Sequence, residues 1–284
     1  MTATVMAPLD GSPAAEAALP WAVHLAKRTN SSLRLVGVHA PPTVMLDGET
    51  LVGNVVPDES IRRKEADYFA DVQSRLSYAG VPVTAELLDG SVVTSLADYA
   101  RKLRPTWVVM LSHGRGAVAR FFLGETASEF VRSSPCPVLL VHGTSEPVDL
   151  TATRDVRHVL VPLDGSELAA RMLGPASDFA RAVGADVTLL TALAAVPNPA
   201  EAAGYLEDQA KRVRQSGLTV GVRTAPQGGA ADAIVAEAAA KPGTVVALTT
   251  HGRGGLSKLV WGSVTDAVVR RTPAPALVFR PQEK

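Results

Sequence analysis

Length, composition and charge limit the kind of protein this chain can be. Hydrophobic residues make up 46% and charged residues 20% of its 284 residues, which is ordinary for a folded chain and excludes intrinsic disorder. Lys plus Arg and Asp plus Glu both number 28, so no overall charge attracts nucleic acid or an anionic membrane surface, and any anion site must be local.

The first half of the chain predicts strands that alternate with helices. Apolar, β-type runs predict strands at Thr4–Leu9, Leu33–Val38, Val83–Leu87, Trp107–Leu111 and Pro137–His142. Amphipathic segments between them predict helices at Ala14–Arg28, Ser60–Tyr78, Ser91–Leu103 and Glu125–Arg132. Because short apolar strands separated by helices form parallel sheets covered on both faces, we expect a doubly wound α/β layer.

An internal repeat divides the chain into two copies of this pattern. Pro-Leu-Asp-Gly-Ser at 8–12 recurs at 162–166, and His-Gly-Arg-Gly at 113–116 recurs at 251–254. The offset falls from 154 to 138 residues between these motifs, so the second copy lacks 16 residues. We place this difference in the first copy's Pro- and Gly-rich loop between Pro41 and Pro57. Two motifs repeated in one order indicate a duplication.

The second copy repeats the strand pattern of the first. Its strands are predicted near Val159, Val187, Val220, Val245 and Leu277. The fold class is therefore α/β, with two tandem doubly wound, Rossmann-like domains, each with a five-stranded parallel sheet. We assign residues 1–145 and 155–284 to the two domains and 146–154 to a linker.

The last strand of each copy is a candidate for joining the two domains. If Val138–Val141 and Ala276–Phe279 are edge strands, their unpaired backbone groups need a partner, and pairing them would form a pseudo-dimer. Prolines at 135, 137, 273 and 275 fit an edge position. The sequence leaves open whether two chains then associate as a homodimer.

The repeated residues fall where doubly wound sheets bind ligands, beyond the carboxyl ends of the first and fourth strands. Nine residues separate Gly114 from Gly124, and nine separate Gly252 from Gly262, in each case between a strand and a helix. Glycines allow a close approach to phosphate oxygens, and a helix start presents unpaired amides and the positive end of the dipole. Local positive charge is supplied by Arg115, Arg120, Arg253 and Lys258. The loops are predicted to bind anions.

These motifs together resemble the universal stress protein family. The resemblance covers nearly the whole chain and implies two domains of strand order 3-2-1-4-5 that bind ATP, with dimerisation through the last strand. By similarity, Asp10 and Asp164 contact the adenosine, and the backbone near Val38 and Ala192 lines the adenine. The remaining residues of the implied ATP sites are Pro8, Gly114, Arg115, Gly124, Glu125, Thr126, Pro162, Gly252, Arg253, Gly262, Ser263 and Val264.

The chain departs from the ATP-binding pattern of that family at three positions. The first glycine of the pattern, G-x-x-G, nine residues, G-[S/T], is replaced by Leu111 in one copy and Thr249 in the other. Glu125 stands where the pattern has Ser or Thr, which should weaken phosphate binding unless magnesium or Thr126 compensates. We expect ATP in at least one copy.

Simpler interpretations remain beside the functional ones. Asp10 can serve only as a turn or helix-cap residue before Ser12. His113 and His251 are expected to bond the loop backbone rather than to catalyse a reaction, and the basic run at 62–64 reads as a solvated helix face.

Missing motifs argue against demanding chemistry. No Gly-Lys dipeptide occurs, so there is no P-loop lysine, and Ser257 interrupts the dinucleotide-binding pattern G-x-G-x-x-G. No catalytic residue is predicted, no metal site is expected from the protein alone, and magnesium would come only with ATP.

The leading hypothesis is an ATP-binding regulator of stress responses with little or no catalysis and an unidentified protein partner. A nucleotide-free interaction scaffold and a slow ATPase are the alternatives. The single Cys136 fits a reducing compartment as an inert core thiol, and no apolar run reaches the ~18 residues of a membrane span, so we expect a cytoplasmic protein.

Overall fold

The computed structural model describes residues 3–40, 44–46, 49–51, 58–112, 124–143, 148–150, 152–193, 195–196, 198–226, 228–250 and 261–281. The strands are β1 Thr4–Pro8, β2 Ser32–His39, β3 Val44–Leu46, β4 Glu49–Leu51, β5 Val83–Asp89, β6 Trp107–Leu111, β7 Val138–Val141, β8 His158–Pro162, β9 Asp186–Ala192, β10 Val220–Ala225, β11 Thr244–Thr249 and β12 Ala276–Phe279. The α-helices are α1 Leu19–Arg28, α2 Asp58–Arg75, α3 Val92–Leu103, α4 Glu125–Ser133, α5 Glu167–Ala170, α6 Leu173–Val183, α7 Pro199–Arg214, α8 Ala230–Ala240 and α9 Ser263–Arg271. Short 3₁₀ turns at Ala15–Ala18 and Ser77–Ala79 flank α1 and α2.

The two copies share one sheet topology. In the described residues, ten strands lie in the order β10-β9-β8-β11-β12-β7-β6-β1-β2-β5. Each half is parallel and has the order 3-2-1-4-5, with equivalent registers such as Pro8 opposite Val36 and Pro162 opposite Leu190. The predicted fold class and strand order are confirmed. The reversal of winding lies between β1 and β6 in one half and between β8 and β11 in the other.

The last strands join the two halves into a single sheet. β7 and β12 pair antiparallel, with Leu139 opposite Leu277, and this is the pseudo-dimer that edge pairing predicts. The guanidinium of Arg280, just after β12, donates from Nη1 to the carbonyl of Arg132 in α4 at 3.1 Å. The seam therefore combines strand pairing with contacts to the last helix of the first copy.

One stretch of the first copy contains more regular structure than expected. The interval between Pro41 and Pro57 was expected to be loop throughout, yet β3 and β4 form a short antiparallel pair within it. The shorter connection of the second copy leads directly to α7, whose start is capped by Asn198 Oδ1, which accepts from the Ala200 amide at 3.0 Å.

Alternating strand residues build an apolar core on each face of the sheet. Val5 and Leu35 belong to the face packed by α1 and α2, whereas Met6 and Val36 belong to the opposite face with α3 and α4. Both faces of central strands such as β1 and β6 are buried, as the continuous apolar runs predict for a parallel sheet, whereas the edge strands β5 and β10 are only partly buried.

Two smaller features bear on the sequence predictions. Cys136 lies two residues before β7 rather than in a strand, and burial raises the pKa of its thiol to about 11, which agrees with an inert thiol. The described part of the chain contains no helix both long and apolar enough to cross a membrane.

Candidate functional site

The repeated Asp-Gly-Ser motif forms the same turn at the end of β1 and of β8. The Ser12 amide donates to Asp10 Oδ1 at 2.9 Å, and Ser12 Oγ accepts from the Ala15 amide at 3.2 Å. Gly11 adopts a φ of 78°, which disfavours residues with a side chain. The turn directs the Asp10 side chain while starting the next helical segment.

The second copy reproduces these contacts. The Ser166 amide donates to Asp164 Oδ1 at 3.0 Å and its hydroxyl donates to the same oxygen at 2.6 Å. Gly165 has a φ of 83°, and Ser166 Oγ accepts from the Ala169 amide at 3.1 Å. Both aspartates therefore hold a turn, whereas the serine two residues later caps the following helical segment.

A cavity of about 570 Å³ opens at the carboxyl ends of the first copy's strands. It brings together most of the residues predicted there from three distant segments: Pro8, Asp10, Val38, Gly124, Glu125 and Thr126. Its volume lies in the range of small-molecule sites. Apolar side chains such as Met110 and Leu96 line the part between the strand ends and α3.

The helix start at one side of this cavity has no side-chain cap. Gly124 occupies the N-cap of α4, and its amide donates to the Ser112 carbonyl at 2.8 Å, which joins the helix start to the residue after β6. The first-turn amides of a helix have no partner inside the helix, so an uncapped start is suited to an anion. Glu125 and Thr126, in this first turn, are exposed and line the cavity.

The second copy has an equivalent helix start. Gly262 is the N-cap of α9, again without a side-chain cap, and its amide donates to the Thr250 carbonyl at 2.7 Å. Ser263 and Val264 are exposed in the first turn. Pro162 ends β8 and Ala192 ends β9. By register they correspond to Pro8, which ends β1, and to Val38, the next-to-last residue of β2.

Part of each predicted site lies outside the described residues. This applies to the loop residues Gly114, Arg115, Gly252 and Arg253, and also to His113, Arg120, His251 and Lys258.

One residue differs between the equivalent strands β2 and β9 near their carboxyl ends. Gly37 in β2 corresponds to Thr191 in β9, because Val36 and Leu190 occupy the same register. A Cβ at Gly37 would lie 2.4 Å from Phe69 Cε2, so the Phe69 ring needs a glycine there. Thr191 is fully buried, and its hydroxyl donates to the Leu163 carbonyl at 2.7 Å. At this position the second copy therefore has the Thr191 side chain, whereas in the first copy the Phe69 ring packs against the backbone of Gly37.

Helix α2 contributes cavity residues that the sequence interpretation missed. Lys64, Glu65, Tyr68 and Phe69 line the cavity, although the basic run that includes Lys64 reads as a solvated helix face. Lys64 is indeed exposed, but it stands at the rim of the cavity. The signal available in the sequence was the spacing of these residues along one helix face.

A buried histidine connects α2 to the end of β2. His39 Nδ1 lies 2.7 Å from Glu65 Oε2, and its Nε2 lies 3.0 Å from Asp58 Oδ1. The hydrogen bond to Glu65 and that to Asp58 raise the pKa of His39 above 6.5, against the opposing effect of burial. Nearby, Arg62 forms an ion pair with Asp89 at the end of β5 and lowers the pKa of that carboxyl. These contacts fix the part of α2 that borders the cavity.

The fold and the cavity define a class: tandem doubly wound α/β domains with a crevice at the strand ends and an uncapped helix start beside it. The family model described as "Universal stress protein family" matches residues 1–142 and 155–280. The chain therefore belongs to the universal stress protein family.

Curated relatives have the same tandem length. A universal stress protein of Mycobacterium tuberculosis (strain ATCC 25618 / H37Rv) is 28% identical over 313 residues, covering 97% of this chain and 94% of that protein. One of Mycolicibacterium smegmatis (strain ATCC 700084 / mc(2)155) is 26% identical, covering 98% of this chain and 97% of that one. The solved structure of a universal stress protein from Archaeoglobus fulgidus DSM 4304 superposes with a TM-score of 0.75 at 18% identity, covering 98% of both chains, which supports the fold.

Proposed function

We propose that this protein binds ATP and acts as a nucleotide-dependent regulator in the response to stress, with little or no catalysis. The observation that carries the proposal is the convergence of Asp10, Val38 and the uncapped start of α4 on one cavity of about 570 Å³. An apolar part beside β2 suits a base, and a helix start with unpaired amides suits phosphates. The stress role follows from membership of the family.

The same residues argue for holding a nucleotide rather than for fast turnover. Asp10 is engaged by the Ser12 amide, and the described lining contains no pair of a base and a positioned nucleophile. A ligand that is bound and slowly turned over acts through its occupancy, since it favours the conformation that binds it better. Magnesium would bind together with the nucleotide. An unidentified protein would bind the conformation that the nucleotide favours.

A second candidate, a nucleotide-free interaction scaffold, draws on two observations. Glu125 places an exposed carboxylate at the helix start where phosphate would bind, and Leu111 and Thr249 replace the first glycine of the family's loop pattern. The carboxylate opposes a bound phosphate by its charge. A slow ATPase is the third candidate, and it shares the binding step with the first.

The test is a direct measurement of nucleotide. The purified protein is denatured and the released small molecules are identified by mass spectrometry, and ATP binding is then measured by calorimetry. We expect bound or titratable ATP, weakened about ten-fold or more by Asp10→Ala, since hydrogen bonds to charged groups contribute ~1.5–3 kcal/mol. Asp178→Ala, an exposed carboxylate on α6 that pairs with Arg181, is the matched control and should bind as the wild type does.

Two outcomes would favour one of the other two candidate functions. No ATP released and no heat of binding at millimolar ATP would leave the scaffold as the function. Steady-state phosphate release that depends on Asp10 would make the protein an ATPase.

A further inference from the structure

A tryptophan of the second copy contacts the helix that borders the first copy's cavity. Trp261 directly precedes Gly262, the N-cap of α9, and only 6% of it is exposed. Its Nε1–H donates to Ser128 Oγ in α4 at 2.8 Å. The buried indole thus reaches across the seam from one candidate phosphate site to the other.

The contact lies on the first turn of α4. The Ser128 amide donates to the carbonyl of the N-cap Gly124 at 2.9 Å, which is the hydrogen bond that closes this turn. The three residues between them, Glu125, Thr126 and Ala127, all line the cavity. A donor fixed on the Ser128 hydroxyl therefore restrains the turn whose amides would face a bound polyphosphate.

The equivalent residues cannot form the reciprocal hydrogen bond, from the first copy to the second. The sequence equivalent of Trp261 in the first copy is Leu123, whose side chain has no hydrogen-bond donor. The equivalent of Ser128 is Asp266, whose Oδ2 accepts from Arg270 Nε at 2.8 Å within α9. The second copy therefore provides the indole donor, and the first copy provides the hydroxyl acceptor.

We propose that Trp261 is a positioning residue for the phosphate end of the nucleotide site in the first copy. It acts through Ser128, holding the first turn of α4 in the orientation that presents its amides to the ligand. The proposal rests on the ATP-binding function proposed above. It makes the two copies unequal: the first binds the polyphosphate with help from the second.

The experiment measures ligand binding at the first copy alone. Met110 lines its cavity, and the second copy has Leu248 at the equivalent position, so the ¹³C-methyl NMR signal of Met110, assigned with Met110→Leu, reports on this site. ATP and adenosine are titrated separately into wild type, Trp261→Phe, Ser128→Ala and the double variant. Phe keeps the aromatic packing and removes the N–H donor.

We expect ATP to bind about five-fold more weakly in each single variant, as the loss of one neutral hydrogen bond implies. The double variant should be no weaker than either single one, because both remove the same bond. Adenosine, which has no phosphate, should bind equally well to all four. Trp21→Phe is the control, since Trp21 stacks on Arg154 and lies outside the cavity lining.

The outcomes separate this proposal from the one on which it rests. Wild-type protein that binds no ATP by the Met110 signal or by calorimetry would overturn both, and calorimetric binding without a response of Met110 would overturn the positioning role alone. Wild-type binding with unchanged ATP affinity in Trp261→Phe, or with equal losses for ATP and adenosine, would overturn the positioning role alone and leave ATP binding standing.

Discussion

Asp10 both holds a turn and lines the cavity of the first copy. Its carboxylate accepts the Ser12 amide in a turn that requires Gly11, and the same residue lines the cavity of the first copy. A turn that fixes a carboxylate at a strand end also presents it to whatever occupies the crevice, so a structural contact does not argue against a ligand contact. The duplicate at Asp164 shows that the turn is a property of the motif.

His39 links stability to pH at the residue scale. Its pKa is raised in the folded state because both ring nitrogens face carboxylates, Glu65 and Asp58, both from α2. A raised pKa means that the folded state binds the proton more tightly, so the stabilisation is complete below 6.5 and is lost as the pH rises through the folded-state pKa.

We therefore predict that, as the pH rises above about 6.5, the free energy of unfolding falls more steeply in the wild type than in His39→Gln. Urea unfolding followed by circular dichroism measures this difference. His158→Gln in β8 is the control, because it leaves His39 and its carboxylates intact, and should follow the wild-type curve. Parallel pH curves for wild type and His39→Gln would show that the histidine contributes no such linkage.

At the scale of elements, α4 is the helix whose start determines what the first site can bind. Its N-cap is a glycine without a capping side chain, which leaves the first-turn amides to a ligand. Glu125 opposes this by placing a negative charge in the same turn, where it is favourable to the helix dipole but unfavourable to a phosphate.

We predict that Glu125→Ser strengthens ATP binding about five-fold, since two unit charges ~4 Å apart in water interact by ~1 kcal/mol. Adenosine binding should not change. Glu129→Gln removes the same charge one turn further along α4, at an exposed residue that is not part of the cavity lining, and serves as the matched control. Calorimetry at low ionic strength is the measurement, because salt screens an exposed carboxylate. An equal gain in the control would assign the effect to net charge rather than to position.

At the scale of the whole molecule, the seam between β7 and β12 turns two domains into one sheet. Strand pairing at Leu139 and Leu277, the Arg280 contact to Arg132 and the Trp261 contact to Ser128 all cross it. Apolar residues are buried on both sides of the seam strands, so neither copy can unfold without exposing part of the other.

We predict a single cooperative unfolding transition for the full chain. Leu35→Ala in β2 and Leu189→Ala in β9 are equivalent core truncations, both at fully buried positions, and each should lower the free energy of unfolding by ~2–5 kcal/mol. Each variant should shift the whole transition to lower urea, measured by circular dichroism and by tryptophan fluorescence. Two separate transitions, with each variant shifting only one, would show that the copies unfold independently.

Sequence alone determined the repeat and the turn at Asp10, because these depend on local patterns: hydrophobic period, glycine at positive φ and short side-chain caps. The strand order 3-2-1-4-5 was implied only by the resemblance to the family, and the structure confirms it. It also directed attention to Val38, Gly124, Glu125 and Thr126, which the fold gathers at one cavity. The domain limits at 1–145 and 155–284 remain predictions.

Only the tertiary structure decided which residues of α2 face the cavity, that His39 lies between two carboxylates, and that Trp261 of one copy reaches Ser128 of the other. These are contacts between segments distant in the chain, and they depend on how helices pack on the sheet and how the two sheets meet. The helical period of a sequence shows which residues share a face, but not what that face packs against. A tryptophan in a sequence is a known hydrogen-bond donor, but only the fold determines which acceptor lies next to it.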